Sequence, residues 1–203
     1  FQFEEQLRGG ALVAVQSLLD AGIDLQILSG DVPSAVEDVA SSLGLKTYMA
    51  ELLPGEKVQR LAELAQQGRK VLMVGDGLND APSLAAAHVS MAPVTAADIG
   101  RNAADLVFLH DDLGAVPLAL AVARAANRLV RQNFVLAIVY NAIALPVAIT
   151  GHVTPLIAAL SMSASSLAVI LNALRLTAGN GGRRREHSVV AARSETERWA
   201  PAR

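Results

Sequence analysis

The chain has 203 residues, with 17 Lys and Arg against 19 Asp and Glu, a formal net charge of −2. That balance speaks against a nucleic-acid partner. The absence of Cys excludes a disulfide framework and any thiolate metal site within this stretch. Hydrophobic residues make up 52% and charged residues 18%, and the excess is uneven, since residues 133–174 hold no Asp, Glu, Lys or Arg. The first residue is Phe1 rather than Met and no charged-then-apolar leader opens the chain, so it reads as a piece of something longer.

Residues 1–112 have the pattern of an α/β domain. Leu7 to Ala21 repeats apolar residues at helical spacing, with Leu12, Val13, Val15, Leu18 and Leu19 as the expected inner face and Gly22 as the stop. Ile23 to Leu28 alternates as a strand and runs into Ser29-Gly30-Asp31. A helix is expected from Val32 to Leu43, closed by Gly44, then a weak strand from Leu45 to Met49. Pro54 occupies a favoured first helical position for a helix reaching Gln67, capped by Gly68. Val71 to Val74 reads as a buried strand, Ala81 to Ala87 as a helix, and Val89–Met91 and Asp105–Leu109 as further strands. Strands alternating with helices predict a parallel sheet covered by helices on both faces.

After Leu113 the pattern changes. Residues 113–132 read as a linking helix rich in Ala and Leu, 133–150 and 155–174 as two membrane-spanning helices, and 176–203 as a disordered tail. Two charge-free helices four residues apart would otherwise need a very large core to hide in. Arg124, Arg128 and Arg131 precede the first span, and Arg175 and Arg183-Arg184-Arg185 follow the second. The loop Gly151-His152-Val153-Thr154 has no Lys or Arg, so the α/β domain and tail are expected on the cytoplasmic side.

The chemistry concentrates in Gly75-Asp76-Gly77-Leu78-Asn79-Asp80-Ala81-Pro82, at the carboxyl end of a predicted strand, where open α/β sheets bind ligands. The bland reading is a polar turn with Asn or Asp as helix cap. It accounts for one such residue, not for two glycines and three polar groups in six positions. A dinucleotide fingerprint needs a Gly where Asp80 stands, and a calcium loop needs one where Ala81 stands. Carboxylates held together call for a cation such as Mg²⁺. Ser29-Gly30-Asp31 offers a hydroxyl and backbone N–H groups for a phosphoryl oxygen. Lys57, at a helix start, can neutralise charge on a phosphoryl group. Taken alone, Lys57 would be a solvated surface lysine.

Ser-Gly-Asp, Pro-x-x-Lys and Gly-Asp-Gly-x-Asn-Asp-x-Pro, in this order and followed by two spans, resemble the second half of the haloacid-dehalogenase-type phosphorylation domain of P-type ATPases. The resemblance covers about residues 1–176. It implies that Ser29, Gly30, Asp31 and Lys57 serve the aspartyl phosphate, that Asp76 and Asp80 form the Mg²⁺ end, and that Asn79 and Asp80 order that site. Ser29 departs from the family's usual Thr but keeps the hydroxyl. Tyr140-Asn141 and Met162-Ser163-Ala164-Ser165-Ser166 resemble signatures of the last two helices in the heavy-metal, Cu⁺-type branch. On that resemblance Tyr140, Asn141, Met162, Ser165 and Ser166 touch the transported Cu⁺. A thioether suits a soft monovalent ion, whereas a divalent ion would usually require a carboxylate. The bland alternative makes Ala164, Ser165 and Ser166 a small-residue packing face.

The family's Asp-Lys-Thr-Gly-Thr loop does not occur in this chain. The resemblance therefore implies an upstream part carrying the nucleophilic Asp, the nucleotide-binding domain that takes ATP, and a Cys-Pro-Cys helix. The expected setting is a bacterial plasma membrane, with the lipid bilayer, that upstream part, the metal ion and a copper chaperone as partners, and oxidase assembly as the closest subgroup. The competing expectations are a membrane-anchored, non-catalytic remnant that binds metal or partners, and a stand-alone phosphatase, which would need a nucleophilic Asp in a Thr-rich loop.

Overall fold

The computed structural model describes residues 7–76, 78–109, 112–151 and 153–175. Gly77, His152 and the tail 176–203, with its arginine run, lie outside the described residues. The chain divides into two units, Phe1–Ala119 and Leu120–Arg203.

The first unit alternates helices and short strands: α1 (Ala11–Asp20), β1 (Ile27–Leu28), α2 (Pro33–Ser42), β2 (Tyr48–Met49), α3 (Pro54–Gln66) and β3 (Leu72–Val74). A 3₁₀ turn (Leu78–Asp80), α4 (Ala81–Ala86), β4 (Val89–Pro93), α5 (Asp98–Ala103) and β5 (Leu106–Phe108) complete it. The helices α1, α2 and α3 end the same way. A glycine at positive φ (Gly22, Gly44, Gly68) follows each, and the next N–H reaches back to Leu18, Ala40 or Leu64. These 6→1 bonds satisfy carbonyls that the helix ends would leave open.

Helix α1 begins at Ala11, not at Leu7. Gly10 sits at φ 72, and Gly9 forms a parallel bridge with Asp112 while its carbonyl accepts the Leu113 N–H at 3.1 Å. The approach to the helix is thus committed to the connection that follows Phe108. The buried stripe runs through Ala11, Ala14 and Leu18, and Leu12 and Val13, expected inside, are 59% and 65% exposed. Strand β1 is shorter than the alternating run 23–28, whose first N–H, that of Ile23, is taken by the Leu18 carbonyl at the end of α1.

All strand pairs are parallel, with helices around them, as the α/β pattern predicts. Among the described residues, however, the strands form two sheets, β1-β2 and β3-β4-β5. Between β1 and β3 lies a largely apolar cavity of about 340 Å³, lined by Leu25–Leu28, Val71–Val74, Leu18 and Leu61. Around β4, Leu84 of α4 and Met91 and Ala92 are almost fully buried, while Ala11, Ala14 and Leu18 of α1, Val36 and Ala40 of α2 and Leu61 of α3 form a second buried set. A part-buried polar knot joins Ser90 of β4 to the residue just before β5: Asp105 Oδ2 accepts the Ser90 N–H and hydroxyl at 2.8 and 3.0 Å.

The segments read separately as 113–132 and 133–150 are one helix, α6 (Ala115–Ile149), followed by α7 (Pro155–Arg175). Nothing at Gln132-Asn133 stops the backbone, and Pro146 falls inside without ending the helix. The Thr150 N–H donates to the Pro146 carbonyl at 3.2 Å, so the ladder resumes past the proline. Both helices are long and apolar enough to cross a membrane, and their apolar windows are not buried in protein.

In the second unit α6 and α7 are antiparallel, with Asn172 Nδ2 donating to Asn133 Oδ1 at 2.9 Å. Between residues 133 and 149 of α6, only Asn133, Ala137, Tyr140 and Ala144 are half-buried, and on α7 only Ser161, Ser165, Val169 and Asn172. Spacings of three and four mark one face of each helix, and these two faces form the seam.

Candidate active site and metal flank

Lys57 and Asp80 form the centre of the first unit's site. Lys57 Nζ donates to Asp80 Oδ1 at 2.7 Å, with side chains 10% and 16% exposed. The solvated-lysine reading of Lys57 is thus overturned: the residue is buried and ion-paired. Pro54 starts α3, and Glu56 Oε2 accepts the Leu53 N–H at 2.7 Å, which fixes the turn that delivers Lys57. Gly75 makes room for Asp80. A Cβ at Gly75 would lie 3.0 Å from Asp80 Cβ and 3.2 Å from its Oδ2.

The Ser29 hydroxyl donates to Asp31 Oδ2 at 2.6 Å and accepts the Asp31 N–H at 3.3 Å. No hydrogen bond joins this turn to the Lys57–Asp80 pair among the described residues. The backbone does connect them: the Leu52 N–H donates to the Ser29 carbonyl and the Glu51 N–H to that of Asp31, each at 2.9 Å. Five residues after Leu52 the same segment presents Lys57. Gly30 is held close by this contact, since a Cβ there would lie 3.2 Å from the Leu52 carbonyl oxygen. The segment 51–57 therefore spans from one candidate phosphoryl contact to the other.

Asp76 is about half exposed and its Oδ2 pairs with Arg8, a partner that no motif or periodicity signalled. The only hint is a lone Arg in front of Gly9-Gly10. Asn79 is exposed on the 3₁₀ turn. Among the described residues no three His, Cys, Asp or Glu gather as a metal cage. Magnesium fits the donors that are present, because it retains waters and takes one or two carboxylates alongside phosphate oxygens. Each carboxylate has one oxygen engaged, Asp76 Oδ2 by Arg8 and Asp80 Oδ1 by Lys57, and Asp76 is the more exposed of the two.

In the second unit, Tyr140 and Ser165 lie in the α6–α7 seam, and Asn141, Met162 and Ser166 lie outside it. Met162 is 71% exposed. At about 100° per residue, Asn141 is one step round from Tyr140, and Ser166 one step from Ser165. The helices run antiparallel, so both steps turn toward the same side of the pair, and Met162 shares that side with Ser166. The five residues thus occupy the seam and one adjoining flank. The Asn141 amide donates to the Ala137 carbonyl at 3.0 Å and the Ser166 hydroxyl to the Met162 carbonyl at 3.1 Å. Each polar group of the flank therefore folds back on its own helix.

The fold and these residues define a class: a haloacid dehalogenase-like domain followed by two candidate membrane helices. Residues 1–88 match the haloacid dehalogenase-like hydrolase family. Over 176 residues the chain is 57% identical to the nitrogen fixation protein FixI of Rhizobium meliloti (strain 1021), covering 87% of this chain and 23% of that protein. It is 40% identical over 163 residues to the copper-exporting P-type ATPase of Staphylococcus aureus (strain Newman), covering 80% and 20%. The solved structure of a zinc-transporting PIB-type ATPase in its E2.Pi state aligns with a TM-score of 0.81 at 34% identity, over 85% of this chain and 28% of that one. The chain is thus homologous over most of its length to heavy-metal P-type ATPases, and it spans about a quarter of the length of the curated relatives it matches.

Proposed function

We propose that this chain is the phosphoryl-handling and final-helix part of an ATP-driven pump that moves Cu⁺ across a bacterial plasma membrane. The observation that carries the proposal is the Lys57–Asp80 pair, four residues on from the half-exposed carboxylate of Asp76, in a chain that also supplies Tyr140, Asn141, Met162, Ser165 and Ser166 on the α6–α7 pair. Mg²⁺ held at Asp76 and the free oxygen of Asp80 would supply charge neutralisation for a phosphoryl group. Lys57, fixed by Asp80, brings a second positive charge to the same end. The Ser29 hydroxyl, now turned to Asp31, is the donor for a phosphoryl oxygen, and Gly30 lets its loop approach closely.

A phosphorylated Asp and the ATP site come from outside this chain in this reading. The cavity between β1 and β3 supports it, since both strands leave an edge unpaired there among the described residues. An extended segment ending in that Asp would pair with both and complete one sheet. Copper is favoured over zinc by the donor set: one thioether, an amide, a phenol and hydroxyls, with no carboxylate between 133 and 174.

The test is metal-dependent ATPase activity of the full-length protein in proteoliposomes. Asp76→Asn is expected to abolish Cu⁺-stimulated turnover, and near-normal turnover would refute the assignment. The 203-residue chain alone is expected to hydrolyse no ATP, and metal-stimulated turnover from it would show that the nucleophile lies within.

A further inference from the structure

We infer that Asn133 and Asn172 are positioning residues: their side-chain clasp sets the register of the α6–α7 pair and thereby brings Tyr140 and Asn141 level with Met162, Ser165 and Ser166. The inference rests on the metal-flank reading above and adds to it a part of the molecule that carries no metal donor.

Three contacts meet at Asn172. Its Nδ2 donates to Asn133 Oδ1 at 2.9 Å and to Gln132 Oε1 at 3.4 Å, and its Oδ1 accepts from Arg175 Nη1 at 3.4 Å. The Asn172–Asn133 and Asn172–Gln132 bonds tie the two helices together through their side chains. The remaining seam residues are Ala137, Tyr140, Ala144, Ser161, Ser165 and Val169. Apart from Tyr140 they are small or short, so they let the helices approach without choosing one register. In lipid there is little hydrophobic drive to choose one either. A slip of one turn moves one helix about 5.4 Å past the other. It would set Tyr140 opposite the wrong turn of α7 and separate Asn141 from Met162. The clasp opposes that slip because a shifted register would break the Asn172 bonds to Asn133 and Gln132, while the small seam residues offer no replacement partner at that level. From Asn133, Tyr140 lies about 10 Å along the helix, close enough for one fixed end to fix the other. Counting inward from the pair 133–172, Tyr140 falls opposite Ser165 and Ala144 opposite Ser161.

The 203-residue chain has no Cys, so engineered pairs report register cleanly. In lipid vesicles, Ala144→Cys with Ser161→Cys is expected to form a disulfide, and Ala144→Cys with Ile157→Cys, one turn away, is not. Adding Asn172→Leu, which should insert at least as well as the parent, is expected to weaken the first crosslink and raise the second. Asn133→Leu should do the same, and Asn172→Gln, which keeps donor and acceptor, should restore the parent pattern. An unchanged crosslink ratio in both Leu variants would overturn the inference.

Cu(I) affinity, measured without the engineered cysteines by competition with a chromophoric chelator, separates the two readings. Asn172→Leu is expected to weaken binding about three- to tenfold, the range for one interhelical hydrogen bond. Met162→Leu should also weaken it with the crosslink ratio unchanged. If Met162→Leu has no effect, the metal reading fails while the crosslinks still decide the clasp. If Met162→Leu weakens binding but Asn172→Leu shifts register without weakening it, the positioning role is overturned.

Discussion

Asp80 is fixed from two sides, by Lys57 at 2.7 Å and by the missing side chain of Gly75. The two constraints predict related defects. Lys57→Met leaves a mostly buried carboxylate without its partner, and chemical denaturation of the chain in micelles should show a loss of about 3 kcal/mol. Gly75→Ala pushes a methyl group against Asp80 and should cost about 1–3 kcal/mol by overpacking. The second change also moves the carboxylate, so Lys57→Met and Gly75→Ala should add to less than the sum of the single losses. Full additivity would mean that Gly75 is needed only by the backbone. Asp76 differs in kind: its side chain is about half exposed and pairs with the half-buried Arg8, so Asp76→Asn should change stability little while removing activity from the full-length protein.

At the level of elements, legibility followed how local the cause was. Pro54, Gly22, Gly44 and Gly68 punctuate helices through their own backbone limits, and the helices between them were readable within a few residues. The start of α1 was not, because Gly9 is claimed by Asp112, a partner about a hundred residues away. The buried stripe of α1 likewise depends on neighbours, so Leu12 and Val13 could not be placed by periodicity alone. At the site, the motif residues were visible by type and order. Arg8 was not, because a long-range ion pair leaves no periodic trace. Which of the five candidate metal contacts lie level with one another depends on the register of α6 against α7, which lies in Asn133 and Asn172 rather than in the contacts themselves. An element-scale test follows from the caps. Gly68→Ala at φ 76 should cost about 1 kcal/mol, with the loss read by thermal melting and confined to the first unit.

For the whole molecule, the sheet is divided. Two parallel pieces face an apolar cavity of about 340 Å³, and strands β1 and β3 each keep an edge unpaired there among the described residues. That has a colloidal consequence. Oily walls and open strand edges are the features through which chains stick to one another, so the isolated chain should be concentration-sensitive in a way that detergent around its apolar helices does not cure. Its first unit should brighten an environment-sensitive dye and sediment as larger species as concentration rises. Replacing Leu28 by Lys within the cavity should suppress both. A dye-silent, concentration-independent first unit would mean that the cavity closes on itself in solution, and that the open sheet is one state of a domain able to breathe.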